Sequence, residues 1–86
     1  VEKNQKKIKE RLELISKLKA MRQRIINDVD YKRNKVRNLE VALKVAHKST
    51  IKSIFKRDIK TIRKQIKRQL AHIKYIDKSI RQVLTS

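Results

Sequence analysis

The sequence predicts an all-α fold: an antiparallel two-helix hairpin, itself a coiled coil, that dimerises into a four-helix bundle. Three observations lead there. The chain has no Gly and no Pro, the residues that most often interrupt regular structure. Lys, Arg, Ile, Leu, Gln and Glu dominate and carry helical periodicity, the mixture found in long helices and coiled coils. Finally, 86 residues without Cys have no disulfide or thiolate-bound metal to stabilise a small core. Two long helices each bury one stripe, so an oligomer or a parent domain has to supply the rest.

The first helix is expected at about residues 3–46. Ile8, Ile15, Val29, Val36 and Leu43 lie on one seven-residue column, and its missing member is Arg22. Leu12, Leu18, Ile25, Ile26 and Leu39 flank that column. The flank moves from one side to the other along the helix, as expected when 3.6 residues per turn meets a seven-residue repeat. Arg22 is either an edge residue that snorkels or a polar specifier of register and partner.

The break comes next. Continued by sevens from Leu43, the column meets Thr50, Arg57 and Lys64, so the seam changes phase near AHKST, residues 46–50. Ser49 and Thr50 each suit an N-cap, because a hydroxyl can accept from an orphan amide. Neither is followed three residues later by Glu or Gln, so no capping box forms. A short connection favours a hairpin. One continuous helix with a stutter at 46–50 is the alternative.

The second helix, at about residues 50–84, is more regular. Ile59, Ile66, Ile73 and Ile80 form one column, and Phe55, Ile62, Gln69, Ile76 and Val83 form the other. These are a and d positions sustained over about four heptads, and Ile at both is compatible with more than two helices at the seam. Gln69 is placed to specify register, like Arg22, by pairing across the bundle.

The charge sets the class of partner. With 26 Lys+Arg against 8 Asp+Glu the formal net charge is +18. Like charges at that density repel, and a polyanion relieves the repulsion while releasing condensed counterions. Opposite the isoleucine seam run Lys60, Lys67, Lys74 and Arg81, with Arg57, Lys64 and Lys78 on the next column and Lys56 and Arg63 at the seam's edge. Asp58 and Asp77 are the acids of that half. A solvated face usually mixes Glu with Lys; this one barely does. The expected nucleic-acid-binding residues are Arg22, Arg24, Lys32, Arg33, Lys35 and Arg37 in the first helix, with Lys56, Arg57, Lys60, Arg63, Lys64, Lys67, Arg68 and Lys74 in the second. Contacts of this kind go mainly to phosphates and give affinity without reading sequence.

Other chemistry finds little support. His47 and His72 lack the Cys, His or Glu partners of a metal site. Asp28 and Asp30, two apart, point to different sides of a helix. No catalytic set, cofactor or small-molecule ligand is expected. No apolar run approaches the roughly 20 residues that cross a bilayer. With one Phe, two Tyr and no Trp, the chain is short of the aromatic anchors of interfacial helices. The chain starts on Val1 rather than Met and is read as a segment of a longer protein.

From Arg22 to Val36, RQRIINDVDYKRNKV resembles a segment of the transposases, or bridge-RNA-guided recombinases, of a large bacterial insertion-sequence family. That segment often reads R-R-Q-L-(x)6-E-K-N-R-L, and Arg22, Ile25, Asn34, Lys35 and Val36 fall at equivalent spacings. Lys32 stands where the family favours Glu, and Arg33 where it has Lys. Residues 66–80, IKRQLAHIKYIDKSI, are similar to the family's second helix, which often ends L-x-x-x-I-x-x-I-D-x-x-I; Ile73, Ile76, Asp77 and Ile80 match.

The resemblance implies the coiled-coil region that lies between an upstream RuvC-like domain with DEDD acids and a downstream domain with a catalytic serine. It implies a non-catalytic role in a bacterial cytoplasmic protein of DNA transposition: dimerisation, and help in holding guide RNA and DNA. Two rivals share the basic faces. One is a helical arm of an RNA-binding protein, and the other is a structural module that binds an acidic partner.

Overall fold

The structure, a computed structural model, describes residues 2–85, so Val1 and Ser86 lie outside the described residues. Two helices, α1 (Glu2–Val45) and α2 (Ser49–Thr85), are joined by Ala46, His47 and Lys48. They pack side by side as a rod measuring 71 × 15 × 12 Å. Each helix begins and ends within one residue of the expected limits. The chain therefore turns back at 46–48 and does not run on as one helix with a stutter.

The connection requires no glycine, because no described residue has a positive φ. The cap at its far end differs from the expected one. The Lys52 amide donates to the Lys48 carbonyl at 3.1 Å, which is the first helical bond of α2. Lys48 thus holds the N-cap position, and Ser49 and Thr50 lie inside the first turn. No acid stands in that turn, so the helix opens with a cation against the positive end of its own dipole.

Among the described residues six side chains form the core: Ile15, Val29 and Val36 from α1, and Ile59, Ile62 and Ile76 from α2. Ile76, 2% exposed, is the most enclosed. Val36, Ile59 and Ile62 pack together, with Leu39, Leu43 and Ile66 against them. The remaining seam positions, Leu18, Ile25, Phe55, Gln69, Ile73, Ile80 and Val83, are half-buried, as is Ile26. This follows from the geometry of a two-helix layer, in which each stripe is covered from one side only.

Ile8 and Leu12, expected on the seam, are 56% and 62% exposed. The stagger of the helices explains them. Arg22 sits level with Asp77, and α2 ends at Thr85, so α2 runs out opposite about residue 14 of α1 at equal rise per residue. The first turns of α1 project past it, which leaves Ile8 and Leu12 mostly exposed. The seam inside one chain begins at Ile15.

Candidate nucleic-acid interface

Among the described residues, polar side chains tie the helices across the seam at three levels. Nearest the connection, an Arg63 guanidinium nitrogen donates to Glu40 Oε1. In the middle, Gln69 fills a seam position with both ends of its amide engaged. Its Nε2 donates to Asp28 Oδ2 at 2.6 Å, and its Oε1 accepts from Lys32 Nζ at 3.0 Å. Lys32 Nζ also lies 2.9 Å from Asp28 Oδ2, which closes a three-residue ring. The hydrogen bonds from Gln69 and Lys32, with the Lys32 charge, hold the Asp28 carboxyl below its ordinary value. Furthest along, Arg22 Nε donates to Asp77 Oδ1 at 2.8 Å.

These ties bear on what the sequence left open. Arg22 reaches across to Asp77 on the other helix from the partly exposed edge of the seam. Gln69 does pair across helices, with α1 of its own chain. Lys32, expected to face a polyanion, is held in the ring.

The clefts on the two sides of the seam differ in charge. Two adjoining clefts that share Arg63 make a groove beside the Ile59 and Ile66 column, one floored by Leu43 and Ile59 and the other by Val36 and Ile66. Arg33 and Arg37 stand on its α1 side, and Lys56, Lys60, Arg63, Lys64 and Lys67 on its α2 side. Glu40 is the one acid lining it, so seven cations face a single carboxylate that Arg63 already occupies. Beside Ile62, on the other seam column of α2, the opposite flank is lined by Lys35, Leu39, Asp58 and Thr61. There one cation balances one acid.

The expected binding residues are thus only partly brought together. Seven of them line the basic flank, Lys35 lies across the seam, and Arg22 and Lys32 are tied down. Arg24, Arg57 and Arg68 are exposed outside both grooves. Lys74 shares a shallow surface with Asp77, Lys78 and Arg81. Sequence reasoning did not assign roles to Glu40 and Asp28. Their helical positions could have suggested them only once the stagger of the hairpin was known.

Among the described residues no group of acids and histidines could hold a metal ion, and no helix is long and apolar enough to cross a membrane. Fold and surface together define a class: a helical hairpin with a basic groove along one flank. No protein-family model matches the chain, and no curated protein or solved structure matches it.

Proposed function

We propose that the hairpin is a non-catalytic coiled-coil region that contacts nucleic acid and dimerises, as the resemblance to insertion-sequence transposases implies, in a protein of DNA transposition. The observation that supports it is the concentration of seven cations and one engaged acid along one flank. Phosphates placed there would neutralise charges that otherwise repel one another along α2. DNA and guide RNA share that chemistry. A second copy would pair through half-buried seam residues on the side away from that groove, Leu39 among them.

The test is binding of duplex DNA and of single-stranded RNA across a salt series. Each phosphate neutralised contributes about −0.9 (duplex DNA) or −0.7 (single strand) to the log–log slope, so five contacts on duplex DNA give about −4.5. Replacing Arg33 and Arg37 with Gln should flatten the slope by about one to two, whereas Lys35→Gln changes it by less than one. A flat response in the unaltered chain would rule the reading out. Dimerisation is read by light scattering at high salt, where a helical monomer would remove the bundle.

A further inference from the structure

The basic flank carries two unmet demands. Its rims, with Arg33 and Arg37 on one side and Lys60 and Lys67 on the other, attract negative charge. Its floor is apolar and not closed over: Leu43 and Ile66 are half-buried above Val36 and Ile59. A phosphate backbone satisfies the rims and leaves the floor wet. A second copy laid on the same groove would cover the floor but bring seven cations against seven, and like charges in register cost stability. One occupant meets both demands.

We propose that this groove takes an acidic amphipathic helix of a partner protein. Its apolar stripe would lie on Leu43 and Ile66, and Glu or Asp at the flanking positions would meet the arginines and lysines. That is a helix-in-groove mode, and it adds a third helix to the coiled coil. The hairpin already contains a small version of the contact, since Glu40 on α1 reaches Arg63 on α2. A carboxylate carried by a helix therefore fits this rim. The inference stands on the groove alone and not on the nucleic-acid reading. The two make contact at Lys60 and Lys67, which both ligands would use, so the helix would displace nucleic acid.

The experiment uses the full chain and two synthetic peptides of about 21 residues, three heptads. One has Leu at a and d and Glu at e and g. The other has the same composition, scrambled so that the stripe is lost. Fluorescence anisotropy at about 0.5 M salt, where screening shortens charge interactions to a few Å, should show the striped peptide binding about tenfold or more tightly than the scrambled one. The striped peptide should also displace labelled duplex DNA. Leu43→Ser and Ile66→Ser should each shrink the difference, with circular dichroism confirming that the helices persist. Because the peptide comparison needs no change to the protein, it remains decisive even where a variant unfolds. Equal binding of the two peptides would overturn the proposal, and would do so whether or not DNA binds.

Discussion

Gln69 shows what single side chains contribute to this hairpin. It holds a position where the repeat asks for Ile or Leu, and it satisfies its amide with Asp28 and Lys32. A polar residue at one seam position sets register at some cost in stability. Gln69→Leu should therefore raise the unfolding free energy by about 1 kcal/mol, the gain from partial burial of a Leu side chain. It should also relax the stagger of the helices, read as mixed species in sedimentation. A less stable variant of unchanged stagger would show that the ring contributes stability and not register. Asp28 adds a pH dependence. Its carboxyl lies below the ordinary 3.8 in the folded chain, so the folded state holds its proton less tightly than the unfolded one. The resulting stability is fully present above the ordinary value and is lost as pH falls through the lowered one. Acid titration followed by circular dichroism should lose stability over that range, and Asp28→Asn should remove that part of the loss.

At the scale of the elements, α2 opens with Lys48 where a helix wants Ser, Asp or Asn. Lys48→Asp would supply an acceptor for the orphan amides and reverse the charge against the dipole. A gain of about 1 kcal/mol in thermal or urea unfolding is expected, and no gain would mean that the first turn is satisfied in another way. The sequence misplaced this cap by one or two residues because Ser49 and Thr50 carry the favoured side chains, while the position belongs to the residue whose carbonyl accepts the first helical bond, Lys48. The strict columns of α2 made its seam legible, and the phase change after Leu43 located the turn. Arg22 and Gln69 were recognisable as exceptions to the pattern. Their partners were not, because the repeat within one helix does not state how far the other is displaced along it. The exposure of Ile8 and Leu12 follows from that same displacement. The difference between the flanks was hidden too: helical spacing puts Arg63 and Asp58 at the edges of one seam, and only the packed pair shows which α1 side chains join each of them.

For the whole molecule, charge governs both stability and binding, and salt should move the two in opposite directions. On α2, Lys56/Lys60, Lys60/Lys64, Lys64/Arg68 and Lys74/Lys78 are like charges one turn apart, each costing roughly 0.2–0.5 kcal/mol. The ties that oppose them are partly exposed, with Arg22 and Asp77 at 40% and 36% and Arg63 and Glu40 at 64% and 43%. Ion pairs of that kind contribute at most about 1 kcal/mol and are themselves screened. The net charge of +18 adds a longer-ranged repulsion that the ties cannot offset. Screening contracts from about 10 Å at 0.1 M to about 3 Å at 1 M salt, so it removes more repulsion than attraction. The free hairpin should therefore melt at a higher temperature as NaCl is raised, while its affinity for nucleic acid falls over the same range. Duplex DNA at low salt should raise the melting temperature as well, because it supplies the missing negative charge directly. A melting temperature that fell with salt in the absence of DNA would mean that the three ties outweigh the repulsion, and that the basic flank is tolerated without a polyanion.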